Sequence, residues 1–437
     1  MPTKRLFATM VVAGVLAASG CTLIPDPDGT GRAPATKASD TVNRALRDVE
    51  RFWAANYPKV ADGARFQPVE GGYHPYTEND PPPPCGQEQG IYQPNAFYCP
   101  AGDFVAWDAQ NLIPQLQNDY GPLLVGLVMA HEYGHAIQAR LGRMRAATVV
   151  LEQQADCFSG AWLADVLAGR STAFRDISPA QLDNTVAGVL VLRDQPGTPA
   201  RAEGAHGNAF DRIRAVQEGV ENGATKCAGY RADNLPVTEI PFETEADRAS
   251  GGDLPYREAV TLLAEDAQGY WTRAYPELTG EAWQQLPIEP FEPGSPPSCP
   301  APDASAGGAA FYCPDGDFIA FDNERLGPAL HQRIGDNAVG MLLGDLFARA
   351  AQDRRGASTR DKAGQLAVDC LAGTWTNDLL TRDRSGQRIS LSPGDLDEAV
   401  SALLAFGRAA DGAGPSAFER IAVYRKGVLQ GLDGCTG

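Results

Sequence analysis

The feature that most constrains this chain is that it is written twice. NAFYCPAGDFVAWD at 95–108 recurs as AAFYCPDGDFIAFD at 309–322, and ADCFSGAW at 155–162 recurs as VDCLAGTW at 368–375. FDRIRAVQEGVENGATKC at 210–227 returns as FERIAVYRKGVLQGLDGC at 418–435, and Phe52-Trp53 with Tyr57-Pro58 is echoed by Tyr270-Trp271 with Tyr275-Pro276. Order is preserved throughout. A period this long marks a duplicated domain, not a short solenoid repeat, and 437 residues suffice for two domains with sizeable cores. The expected division is a first domain at 40–235, a linker at 236–254 and a second domain at 255–437.

The cysteines follow the same plan. Apart from Cys21 there are eight, Cys85, Cys99, Cys157 and Cys227 in the first repeat and Cys299, Cys313, Cys370 and Cys435 in the second. An even set in a chain that leaves the cytoplasm argues for disulfides. Matching separations in the two repeats favour the pairs Cys85–Cys99, Cys157–Cys227, Cys299–Cys313 and Cys370–Cys435. Cys-x-x-Cys and Cys/His clusters of the structural zinc type do not occur.

Export is expected from the first residues. Lys4 and Arg5 precede an almost wholly apolar run at 6–18, too short to span a bilayer, which is the layout of a secretory signal at 1–20. It ends Ala18-Ser19-Gly20-Cys21 and resembles the lipobox of bacterial lipoproteins, so Cys21 is expected to carry lipid and tether the chain to the membrane. Residues 21–39, rich in Pro, Gly and small polar types, read as a flexible leash. The formal charge of −18 disfavours nucleic acid as a partner.

Within each repeat the pattern predicts a mainly α (α+β) fold: a helix, a Pro-rich loop, a small β-hairpin, then several helices. The predicted helices of the first repeat cover 41–53, 123–140, 146–167, 179–192 and 209–219, with strands around 97–98 and 104–107.

The chemistry lies in His131-Glu132-Tyr133-Gly134-His135. The i,i+4 spacing puts both imidazoles on one helix face, as one zinc ion requires. With 5 His in the chain, chance supplies roughly 0.007 such patterns. A catalytic zinc takes a third protein ligand and keeps one open position, and the next predicted helix offers Glu152 and Asp156, again at i,i+4. Glu152 is the better ligand candidate. Asp156 suits the second ring proton of a ligating histidine.

HEYGHAIQ followed by LEQQADC, with AFYCP upstream and HGNAFDR downstream, resembles the bacterial neutral zinc metallopeptidase family, a zincin branch with glutamate as third ligand. The resemblance covers most of the first repeat and, in degenerate form, the second. It implies two tandem zincin-like helical domains, the second without a metal site, with His131, His135 and Glu152 holding one Zn2+ and Glu132 as general base.

The second repeat serves as an internal control. At an offset of 214, His131, Glu132 and His135 become Asp345, Leu346 and Arg349, and one deletion later Glu152 becomes Gln365. Gln138 persists as Gln352, Asp156 as Asp369 and Trp162 as Trp375, which points those positions toward structure. His206 disappears together with the metal ligands, which marks it as a catalytic candidate able to stabilise an oxyanion. Asp345 and Arg349 are expected to pair on one helix face, with Asp369 competing for the same guanidinium.

The expected function is that of a lipid-anchored, extracytoplasmic zinc endopeptidase acting on peptide or protein substrates of the cell envelope. A zinc-bearing envelope scaffold and a zinc amidase acting on cell-wall peptides are the alternatives. An intact Glu132 favours hydrolysis, because a structural site needs no base.

Overall fold

The computed structural model describes residues 35–202, 204–305, 308–406 and 414–436. The expected signal sequence, Cys21 and most of the expected leash lie outside them. Among the described residues the chain forms thirteen α-helices and two small mixed sheets, so it is mainly α with some β.

The first half runs α1 (Ala35–Val60), β1 (Gly72–Tyr76), β2 (Ala96–Cys99), β3 (Phe104–Asp108), α2 (Leu112–Tyr120), α3 (Pro122–Arg140), α4 (Thr148–Leu167), α5 (Pro179–Val191) and α6 (Ala209–Ala228). A short connecting helix α7 (Glu245–Ser250) follows. The second half repeats the order as α8 (Tyr256–Thr279), β4 (Ile288–Phe291), β5 (Asp303–Ser305), β6 (Ala310–Cys313), β7 (Phe318–Asp322), α9 (Leu326–Arg333), α10 (Asp336–Arg354), α11 (Lys362–Thr381), α12 (Asp395–Ala405) and α13 (Ala417–Gln430). Against this order β5 is an extra element. All four disulfides join the pairs named above.

The predicted hairpin is there as β2–β3, but each sheet is larger than a hairpin. β1 lies parallel to β3 and β4 parallel to β7. Both extra strands contain proline, Pro75 and Pro290, which hid them in Pro-rich sequence. Each is an edge strand, where a missing N–H costs no ladder bond. Helices α1 and α6 run longer than the sequence pattern indicated, α6 because it continues past a kink at Gly223.

Two contacts fix the hairpin over the long central helix. The turn residue Asp103, at φ 47°, receives Arg140 from the end of α3 at 3.2 Å and the Tyr98 hydroxyl at 2.8 Å. Asp317, at φ 51°, receives Arg354 and Tyr312 in the same way at 2.9 and 3.0 Å. Aspartate tolerates this left-handed conformation better than most residues, which suits the Gly-Asp written at both turns. Trp162 and Trp375 serve packing: their indoles donate to Asp48 on α1 at 3.0 Å and to Asp266 on α8 at 2.8 Å.

Helices α4 and α6 meet backbone to backbone. A Cβ added at Gly160 would lie 2.0 Å from the Val216 carbonyl oxygen and one at Gly219 1.9 Å from that of Cys157, so only glycine permits the approach. The halves also cap one another. Asp183 accepts from the Ala417 N–H at the start of α13, and Asp397 accepts from the Phe210 N–H at the start of α6, each at 2.9 Å. The two aspartates are equivalent positions, and each accepts from the first turn of the corresponding helix of the other half, the pattern of an isologous interface, and one apolar core runs through both halves.

The disulfide loops before β2 and β6 close over equal lengths but fold differently. In the second half the loop turns inward as β5, which pairs antiparallel with β6 through Asp303↔Tyr312, Ala304↔Phe311 and Ser305↔Ala310. The corresponding stretch of the first half stays irregular, with Ile91 71% exposed, and among the described residues β2 pairs on one side only.

Candidate metal centre

Helix α3 is buried from Leu123 to Gln138. Its glycine at 134 lets α4 come close, since a Cβ there would stand 2.9 Å from Ala155 Cα. That contact sets Glu152 opposite the two imidazoles. His131 Nε2 lies 3.3 Å from Glu152 Oε2, His135 Nε2 lies 3.6 Å from Glu152 Oε1, and donor atoms of the three residues all fall within 4.8 Å of one another.

The far side of each ring is held. His131 Nδ1 meets Asp156 Oδ1 at 2.7 Å, and His135 Nδ1 meets Gln138 Oε1 at 2.9 Å. Both rings therefore turn Nε2 toward Glu152. Asp156 is itself gripped by Arg212 of α6, Nε to Oδ2 at 2.9 Å and Nη2 to Oδ1 at 3.0 Å, while the remaining Arg212 nitrogen donates to the Leu192 carbonyl. Gln138 also donates to the Leu151 carbonyl at 2.6 Å, tying the end of α3 to α4. Its counterpart Gln352 donates to Ser358 O at 3.1 Å, which accounts for its presence in both halves.

These residues fit a zinc ion. His135 Nε2 and both Glu152 oxygens are buried with no hydrogen-bond partner among the described residues, an expensive arrangement that a shared cation removes. Two imidazoles and a carboxylate are the donor set of a hydrolytic zinc.

Glu132 is fully buried beside the ligands, and neither of its oxygens has a hydrogen-bond partner among the described residues. Burial pushes its carboxyl up to about 8, with Glu152 adding to the effect and the positive His131 ring opposing it. Glu152 is held down at about 2, because the histidine charges around it outweigh the cost of its burial. Burial lowers His135. Burial also opposes charge on His131, but Asp156 overrides it and raises that ring well above its ordinary value.

His206 lies just before α6, buried, with Nδ1 3.4 Å from Asp194 Oδ1 and Nε2 without a partner among the described residues. A Cβ at the next residue, Gly207, would lie 3.6 Å from Nε2 of Gln153, the neighbour of Glu152 in the chain, which sets His206 at the edge of the same site. Sequence reasoning missed Arg212. The signal was present, since Arg212 in FDRIR aligns with Arg420 in FERIA, and an arginine kept beside a kept aspartate indicates a buried pair.

At the matching place in the second half, Arg349 donates to Asp345 at 2.9 and 3.2 Å, as expected. Its other end donates to Asp303 of β5 at 2.9 Å. Asp369 does not compete for this guanidinium. It is taken by Arg420 at 2.8 and 2.7 Å, just as Asp156 is taken by Arg212. The extra strand β5 supplies the partner that the sequence pattern had assigned to Asp369.

Residues 27–230 match the family described as Putative neutral zinc metallopeptidase. Uncharacterized protein Rv2575 of Mycobacterium tuberculosis is 29% identical over 176 residues, 35% of this chain and 59% of its own. Uncharacterized protein YpfJ of Escherichia coli is 35% identical over 135 residues, 27% of this chain and 44% of its own. The chain thus spans about half the length of these relatives, and no solved structure matches it. The motif and the geometry agree with this match to the putative neutral zinc metallopeptidase family, which spans the N-terminal half of the chain.

Proposed function

We propose that the N-terminal half is a zinc-dependent endopeptidase and that the C-terminal half is a duplicated unit whose metal site has been replaced by ion pairs. The observation that carries this reading is Glu132, buried and unpartnered beside three convergent ligand atoms. Zinc bound by His131, His135 and Glu152 would polarise a peptide carbonyl and acidify a water. Glu132 accepts that water's proton on its carboxylate and delivers it to the departing amine, a task suited to a carboxyl raised toward neutrality. Asp156 and Arg212 keep the His131 ring oriented, and His206, its Nε2 uncommitted, donates toward the oxygen that gains charge.

The free edge of β2 offers an extended peptide a place to pair. Support comes from β5, which takes that edge in the second half and brings Asp303 to Arg349, the position of His135. The second half thus leaves no such edge for a substrate. Cys21 lipidation would hold the enzyme at the outer face of the membrane, with peptides or proteins of the cell envelope as substrates. Four disulfides agree with that location, and no described helix is long and apolar enough to cross a membrane.

The test is peptide-library digestion by the wild type and Glu132→Gln with zinc content measured in parallel. Hydrolysis should fall by about 10²- to 10⁴-fold with zinc retained. Unchanged turnover in Glu132→Gln would refute a peptidase, and zinc without turnover in the wild type would favour the scaffold alternative.

A further inference from the structure

A second group of carboxylates stands where the connecting segment meets the C-terminal half. Asp253 precedes α8, Asp336 opens α10, and Glu398 lies on the first turns of α12. Oxygens of these three lie within 4.8 Å of one another, about the span between ligands on opposite sides of one ion that holds oxygens at roughly 2.3–2.6 Å. Each carboxylate spends one oxygen on a backbone amide: Asp253 Oδ1 accepts from Asp336 N at 3.2 Å, Asp336 Oδ2 from Leu254 N at 2.7 Å and Glu398 Oε2 from Asn337 N at 2.9 Å. One oxygen of each remains.

A fourth carboxylate gives an independent indication. Asp395, the first residue of α12, is 5% exposed, and its Oδ1 is buried with no hydrogen-bond partner among the described residues, while Oδ2 accepts from Ser392 N at 2.8 Å. Asn337, which follows Asp336, donates its Nδ2 to the Asp395 carbonyl at 2.7 Å and so sets Asp395 beside the group, whose Glu398 and Asp336 carboxylates bear on it most. The nearby cations are otherwise engaged. Arg193 pairs with Asp397 at 3.3 Å, and the His331 ring donates to the Leu254 carbonyl at 2.6 Å. Backbone geometry makes room as well, because a Cβ at Gly335 would lie 2.2 Å from both Glu398 oxygens.

The first half again serves as a control. Asp336 aligns with Pro122, and through the Ser-Pro-x-x-Leu-Asp frame at 178–183 and 392–397, Asp395 aligns with Gln181 and Glu398 with Asn184. Every aligned position is neutral. Helix capping alone does not require these acids, since α3 and α5 begin without them.

We propose that the C-terminal half binds one hard divalent cation, calcium by preference, through Asp253, Asp336 and Glu398, with Asp395 as a fourth carboxylate. All-oxygen donors, mixed burial and irregular spacing suit calcium, which accepts six to eight oxygens in flexible geometry, better than magnesium. The ion would lock the connecting segment onto α10 and α12. Burial and mutual repulsion raise the carboxyl groups of Asp336, Asp395 and Glu398, a condition a cation relieves.

The test uses the full chain, zinc-loaded and dialysed against calcium-free buffer, titrated with CaCl2 by calorimetry and melted with and without calcium. One ion should bind with Kd on the order of 10⁻⁴ to 10⁻³ M, with a higher Tm. Glu398→Gln and Asp395→Asn should melt no lower than wild type without calcium, since each removes a repelling charge, and should bind calcium at least tenfold more weakly. A wild type without heat or Tm shift up to about 10 mM calcium would overturn the proposal. So would variants that respond as wild type does.

Discussion

The two halves solve one problem in different ways. Each buries a polar face where its long helix, α3 or α10, meets the next, and each must balance charge there. The first half leaves His135 Nε2 and both oxygens of Glu152 without hydrogen-bond partners among the described residues. In the second half the same space is closed by Arg349 between Asp345 and Asp303, 2.9 Å from each. The Asp–Arg pair behind the site is common to both, Asp156–Arg212 in one and Asp369–Arg420 in the other. What differs is the front of the site, open to an external ion in the first half and self-neutralised in the second. Where the second half lacks the ligands it has an internal cation and an extra strand in their place.

This contrast can be broken most sharply at Arg349. It is buried between two aspartates, so Arg349→Ala strands their charges and should destabilise the chain by about 3–5 kcal/mol in chemical denaturation. A loss under 1 kcal/mol would mean that the ion pairs do not replace the metal as a structural element. Next come the paired disulfide loops. Removing Cys85–Cys99 or Cys299–Cys313 by double serine substitution should cost about 3 kcal/mol in either half, because loops of equal length restrict the unfolded chain equally. A large asymmetry would show that the inward fold of β5 depends on its crosslink.

Smaller effects sharpen the comparison behind the site. Arg212→Ala frees Asp156 and loosens the His131 ring, so zinc affinity should drop roughly 10- to 100-fold. Arg420→Ala should lower stability and leave zinc affinity unchanged. Equal effects of the two on zinc would place the second half in the metal site. The smallest effect concerns pH. Asp336 is raised to about 6 from 3.8, mainly by burial, so the folded state holds its proton over a range where the unfolded chain has released it. In calcium-free buffer this group therefore favours the folded state below about pH 4 and loses that contribution as pH rises through about 6. Asp253, Asp395, Glu398, His331 and Arg193 are the charged and titratable groups around it. A melt that is flat across that window would contradict the assignment.

Much of this was legible in the sequence. Repetition pointed to the matching element order, and cysteine separations of 14 in both halves and of 70 against 65 pointed to all four crosslinks. The i,i+4 spacings on α3 and α4 brought His131, His135, Glu152 and Asp156 together, because helical periodicity converts directly into position. The rest depended on contacts that local pattern does not encode. Strands β1 and β4 were hidden by Pro75 and Pro290, and β5 holds its place only through pairing with β6. Arg212 reaches Asp156 across 56 residues and Arg349 reaches Asp303 across 46, distances over which only the packing of separate elements decides the partner. The acidic group at Asp253, Asp336, Asp395 and Glu398 was invisible for the same reason, being assembled from three segments.

The central claim is that one half holds zinc and the other does not. It is tested most directly by the zinc-to-chain ratio of the purified full chain, measured by elemental analysis for wild type, Glu152→Ala and Gln365→Ala, the last two altering equivalent positions in the two halves. The account predicts one zinc per wild-type chain, a marked loss in Glu152→Ala and no change in Gln365→Ala. Two zinc ions per chain, or full occupancy in Glu152→Ala, would contradict it.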